Sequence, residues 1–168
     1  MLQDKRDSIK WLDLSKASSK QHRDFNAVRV VEGDLLITRS GTIGRVAYIT
    51  KRLNKAIVSD DAIRVRITSK KLRAYVYGYL QSCHAQNQLL MNEYGAVQQH
   101  LEPSHVADLL VPVPDDWNTV EPIVAAALEF FASKEQAENS NEIMSRAAAE
   151  IFGSAVAPSH EPEAGTFT

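Results

Sequence analysis

A chain of 168 residues, 44% hydrophobic and 24% charged, has the size and balance of a globular protein that buries a core without a disulfide or metal staple. Cys83 is the single cysteine, which excludes an internal disulfide and fits a reducing cytoplasm; no apolar run is long enough to span a bilayer, and the polar stretch 1–10 does not read as a signal peptide. The net charge of −2 conceals an asymmetry, because residues 1–73 hold 17 of the 19 Lys and Arg with 8 of the 21 Asp and Glu, a balance of +9 against −11 for the rest.

A polyanion would meet the first part of this chain and be repelled by the second. A solvated basic sheet face followed by acidic helices would produce the same counts.

In chain order, residues 1–27 are polar, with Trp11, Leu12 and Leu14 as their apolar cluster. Val28-Arg29-Val30-Val31 leads to the turn signal Glu32-Gly33-Asp34 and then to Leu35-Leu36-Ile37, a buried strand. Ser40-Gly41-Thr42-Ile43-Gly44 is a second turn, followed by strands over 45–50 and, more briefly, 56–58. Residues 62–68 alternate, with Ile63, Val65 and Ile67 on one face and Arg64 and Arg66 on the other. That pattern is a half-buried strand with a cationic outer face. Ser69 then caps a helix expected to run to about Met91 on the apolar spacing of Leu72, Tyr75, Val76, Tyr79, Leu80 and Cys83. Glu93-Tyr94-Gly95 breaks the pattern, residues 96–101 read as extended, and Pro103 opens a helical turn. Leu110-Val111-Pro112-Val113-Pro114 is an edge strand or a stiff hinge, since each proline lacks a donor.

Beyond the hinge the period is helical. Thr119 is the expected cap, Pro122 falls in the first turn, and Val120, Val124, Ala127 and Phe131 follow 4-3-4 spacing. Lys134 and Glu138 interrupt that seam. Asn139 with Glu142 resembles a capping box that restarts a helix through Ile151, ended by Gly153. The expected fold is α+β: a curled sheet of short strands with a packed helix over 1–114, an amphipathic helix or helical hairpin over 115–153, and a disordered tail over 154–168.

No catalytic constellation emerges. Ser59-Asp60-Asp61 sets adjacent carboxylates on opposite faces if extended, and Cys83 and His84 lie about 100° apart on a helix, too divergent for a nucleophile and its base. Cys83 reads as a core residue, and the phosphate-binding G-x-x-x-x-G-K-[ST] is missing. Gly41-Thr42-Ile43-Gly44 spells G-x-x-G, but between strands, not between the helices of a KH domain. Flanked by Arg39 and Arg45, it would let a nucleic-acid backbone approach closely; a tight turn needing glycine explains it equally.

The run from Glu32 to Val46, EGDLLITRSGTIGRV, resembles the pattern G-D-[IL]-L-[IL]-x-x-x-G-x-[IV]-G-x-[VA] of type I restriction–modification specificity subunits. The likeness continues through Ala56-Ile57-Val58-Ser59-Asp60-Asp61, Tyr79-Leu80, Gly95-Ala96-Val97-Gln98-Gln99-His100-Leu101 and Leu109-Leu110-Val111-Pro112-Val113-Pro114, and covers about residues 28–135. The resemblance implies a non-catalytic domain that reads one half of a split duplex DNA site. It also implies a helix that measures the gap and docks a methyltransferase subunit, with S-adenosylmethionine bound to that subunit and none on this chain, and a restriction or translocase subunit as a further partner. Such subunits carry two recognition domains and two helices; this chain has one of each, which suggests a half-subunit that dimerises or pairs with a second recognition domain, or a fragment. Candidate DNA contacts are Arg39, Ser40, Thr42, Arg45, Arg64, Arg66, Gln98, Gln99 and His100, with Gln suited to adenine and Arg to guanine or phosphate. Candidate partner-helix residues are Val120, Val124, Ala127 and Phe131. A single-strand or RNA-binding module, and an interaction protein that binds no nucleic acid, are the rival readings.

Overall fold

The computed structural model describes residues 28–91 and 100–153, and its fold is α+β. The expectations for 1–27, for the break and extended segment over 92–99, and for the tail over 154–168 lie outside the described residues. Three short strands, β1 (Leu35–Thr38), β2 (Val46–Tyr48) and β3 (Ala62–Val65), form an antiparallel sheet in the order β2-β1-β3. Leu35 pairs with Tyr48 and Val65, and Ile37 with Val46 and Ile63. Period-two alternation decides the faces. Leu35, Ile37, Tyr48 and Ile63 are buried, while Leu36 and Thr38 point the other way. The expected strand over 56–58 is only an isolated bridge between Arg29 and Ile57.

The buried face is covered by α1 (Lys70–Leu80), α2 (Cys83–Met91) and the first half of α4 (Glu121–Phe152). Ser69 caps α1 as expected, its side chain accepting from the Leu72 amide at 3.3 Å. The single helix expected to run to Met91 is instead two. The Ser82 hydroxyl accepts from the Ala85 backbone amide like a second cap, and Gln86 Nε2 donates to the Leu80 carbonyl at 2.7 Å, so both ends of the break are satisfied by side chains. The new helix starts with its own phase, buries Ala85 and Leu89, and leaves Cys83 exposed, where a core position was expected. Pro103 does open a short helix, α3 (Pro103–Ala107).

Residues 110–114 form no strand. The two prolines remove ladder donors, and the segment is strapped to the helices through side chains: Tyr75 donates to the Pro112 carbonyl, Tyr79 to the Leu110 carbonyl, and Gln88 brackets Leu110 with bonds of 2.9 and 3.1 Å. Asp116, not Thr119, caps the 3-10 turn Trp117–Val120 that feeds α4, and Pro122 sits in the first turn of α4 as expected. That helix then runs unbroken to Phe152, without the restart expected at Asn139, so the hairpin alternative gives way to one helix of 32 residues. It lies close on α1: a Cβ on Gly78 would stand 2.3 Å from Ile123. Val124, Ala127 and Phe131 are buried against their own domain, with the Phe131 ring stacked on Tyr48 at 3.8 Å between centroids. The seam expected to await a partner is therefore closed within the chain over these three residues, because the inner sheet face supplies the apolar surface they need.

Candidate nucleic-acid interface

The sheet has a second face, turned away from the helices. Leu36 lies between Ala47 and Arg64, Thr38 opposite Ala62, and Arg45 beside Thr38, whose amide donates to the Arg45 carbonyl at 2.9 Å. Arg45, just ahead of β2, and Arg64 on β3 thus stand at opposite sides of one exposed surface. Arg45 has no side-chain hydrogen bond or ion pair among the described residues. Among the described residues Arg64 donates only to the Arg29 carbonyl, and Arg29 donates to the Lys55 carbonyl at 2.7 Å. Lys55 has φ of 68°, an uncommon conformation for a residue with a side chain, in a turn that follows exposed Lys51 and Arg52. Between residues 28 and 73, eleven Lys and Arg face four Asp and Glu. By contrast α4 carries six Glu against Lys134 and Arg146.

The glycine turn that presents Arg45 is held from three sides. The Thr38 hydroxyl donates to the Thr42 carbonyl and accepts from the Arg45 amide, and Ser40 donates to Asp61 at 2.6 Å. Gln86 donates to the Gly44 carbonyl at 3.0 Å, and Gly41 and Gly44 have φ of 68° and 81°, which favours glycine at both. Thr42 is exposed at the tip. Sequence reasoning passed over Gln86, whose role depends on a contact 42 residues away. It also passed over Arg29, Lys51, Arg52 and Lys55, although the density of basic residues over 51–55 was the available signal.

Two of the candidate arginines are engaged inside the domain. Arg39 bonds the Leu101 carbonyl at 3.1 Å, the Asp60 carbonyl at 3.4 Å and the Glu102 carboxylate at 2.6 Å, while Leu101 donates back to the Arg39 carbonyl. It is a clamp that fastens residues 101–102 to the end of β1, and His100, next to the clamped segment, is exposed. Gln98 and Gln99 lie outside the described residues. Arg66 Nε and Nη2 donate to the two carboxylate oxygens of Asp34 at 2.7 and 2.8 Å.

Asp34 is buried and also accepts from the Val31 amide at 2.9 Å. Burial pushes its carboxyl up, but the Arg66 hydrogen bond, the Val31 amide and the charges of Arg66 and Arg64 outweigh burial and hold it below the usual carboxylate range. A carboxyl depressed in the folded state contributes stability above its unfolded value of 3.8, and loses it as pH falls through the lower folded value. Asp34→Asn is accordingly expected to lower stability by about 1–3 kcal/mol at neutral pH. It should also remove part of the acid destabilisation below about pH 4. Urea midpoints of both proteins across pH 3–7 check this, and equal midpoints at pH 7 would refute it.

Among the described residues no group of three or more His, Cys, Asp or Glu is arranged to hold a metal ion, and no helix is long and apolar enough to cross a membrane. The described aromatic side chains belong to the helices, to the turn before α4 and to Tyr48 in the core, so the described outer sheet face is cationic without stacking platforms. The type I restriction modification DNA specificity domain matches residues 7–142. No curated relative matches the chain.

Proposed function

Since the chain belongs to the type I restriction–modification DNA specificity domain family, we propose that it reads one half of a split duplex site and brings a methyltransferase–endonuclease complex to it in the cytoplasm. DNA recognition within a type I system follows from membership of a family of recognition, not catalytic, domains. In this reading the reaction belongs to the partner, which binds S-adenosylmethionine, and this chain supplies only position. A second recognition domain, from another copy or another chain, would read the other half-site, and a restriction or translocase subunit would join the same assembly.

The observation that carries the reading is that Arg45 and Arg64 share one exposed sheet face, with Arg29 and Lys55 linked to Arg64 by successive hydrogen bonds. Cations of this kind set register on phosphates, while base edges are read by polar groups near them. Thr42 at the turn tip, and His100 with Gln98 and Gln99 just ahead of it in sequence, are the proposed base readers. Ser40, Arg39 and Arg66 serve by holding that surface in shape.

Two roles for arginine then separate by experiment. Arg45→Ala is expected to weaken binding about equally for all duplex sequences and to reduce the salt slope by about 1, without changing the melting temperature. Arg66→Ala should lower the melting temperature and leave the slope alone. Electrophoretic titrations at several salt concentrations measure both, and an Arg45 variant with native affinity would remove the outer sheet face from the interface. Co-expression with a type I methyltransferase subunit, followed by methylation mapping, tests the whole reading; modification at a split site that depends on this chain is the expected result.

A further inference from the structure

The two polar residues that break the apolar seam of α4 fall where the helix crosses the open edge of the sheet. β2 is an edge strand. Its hydrogen bonds to β1 and the preceding turn run through Arg45 and Ile49, which leaves the Tyr48 carbonyl facing outward. Lys134 Nζ donates to that carbonyl at 2.9 Å. One turn later, Glu138 accepts from the hydroxyl of Thr50, a fully buried residue. Phe131, one turn earlier, lies flat on the Tyr48 ring. From Asn139 to the end of the helix at Phe152 every residue is exposed.

We propose that Lys134 and Glu138, through the Tyr48 carbonyl and Thr50, form a latch that fixes the direction in which the free arm of α4 leaves the domain, and with it the half-site separation that the protein accepts. Apolar contact alone tolerates sliding and rocking, because dispersion contacts carry little directional preference. Two directional bonds one helical turn apart remove the rocking mode. Fourteen residues at 1.5 Å each make an arm of about 21 Å, so a tilt of roughly 10° at Glu138 moves its tip by about 4 Å. That displacement is close to the ~3.4 Å rise of one base pair. A helix used to set a spacing to the base pair must therefore be held to within about 10°, and Phe131 by itself is a pivot. Lys134 and Glu138 are positioning residues in this account, since both are engaged with the sheet edge.

The link to half-site separation rests on the specificity reading above; the latch itself does not. Spin labels on Cys83, the single cysteine, and on Ser145→Cys in the arm report the direction of α4 by pulsed dipolar spectroscopy. The native background is expected to give one narrow distance. Thr50→Val with Glu138→Ala, and separately Lys134→Met, should broaden it by about 4 Å or more while leaving the circular dichroism unchanged. Glu138→Ala alone, at a partly exposed helix position, keeps the test open if the double variant does not fold. An unbroadened distance in that variant overturns the latch. In a second arm, the chain with its methyltransferase subunit selects from random duplexes of variable length. Native protein should recover one spacing and the latch variants two or more. A single spacing retained by the variants breaks the link to half-site separation, whereas no selection by native protein overturns the specificity reading and leaves the latch to the spectroscopic result.

Discussion

Phe131→Ala is expected to lower folding stability by about 3–5 kcal/mol, the usual cost of deleting a buried ring. The ring is only 4% exposed, stacks on Tyr48, and meets Tyr77 edge-on at 5.0 Å. Against a total stability of about 5–15 kcal/mol, that loss is a large part of what keeps the domain folded. Phe131→Asp adds the desolvation of a carboxylate beside the inner sheet face and should leave little folded protein. Both effects fall on the recognition domain itself, because Phe131 is consumed by its own core and is not available to a partner. Urea unfolding checks the first, and a cost below about 1 kcal/mol would place Phe131 among ordinary surface positions.

Duplex DNA binding by the native chain is expected to fall roughly 10²–10³-fold between about 50 and 200 mM salt, as follows if four to six phosphates are neutralised. The described residues have the means: Arg45 and Arg64 share the outer sheet face, hydrogen bonds link Arg64 to Arg29 and Arg29 to Lys55, Lys51 and Arg52 are exposed a few residues before Lys55, and none of the six forms an ion pair among the described residues. The acidic helix opposes this attraction, so a protein truncated after the docked part of α4 should bind more tightly at low salt and show nearly the same slope. Titrations over that salt range decide the matter; an affinity independent of salt would mean that the cations face solvent only.

The strands were legible because alternation is a local property, and Ile63-Arg64-Val65-Arg66 declares its two faces without help from the rest of the chain. The Ser69 cap and the Pro103 helix start were legible for the same reason. What escaped depended on distant partners. The break at Gln81 and Ser82 contains neither glycine nor proline; it is stabilised by Gln86 and by burial of the second helix in a new phase. An arginine beside a glycine turn looks the same in sequence whether it awaits a phosphate or binds Glu102, 63 residues later, and Arg39 does the second. Asp34 and Arg66, 32 residues apart, show the same ambiguity. Asn139 in the middle of α4 has the signature of a cap, yet Glu138 is already tied to Thr50, and the helix continues through it.

The stacking of Phe131 on Tyr48 has a consequence during synthesis. The three strands are complete once residue 65 is made, but the part of the core that α4 covers stays open until Phe131 follows sixty-six residues later. At ~5–20 residues per second, the ribosome leaves that apolar surface uncovered for roughly 3–13 s. A nascent chain in that interval presents a bare sheet edge at β2 and the Tyr48 ring, the combination that pairs wrongly with neighbouring chains. Slow translation over residues 66–131 should therefore increase the insoluble fraction, while co-expressed holding chaperones should reduce it.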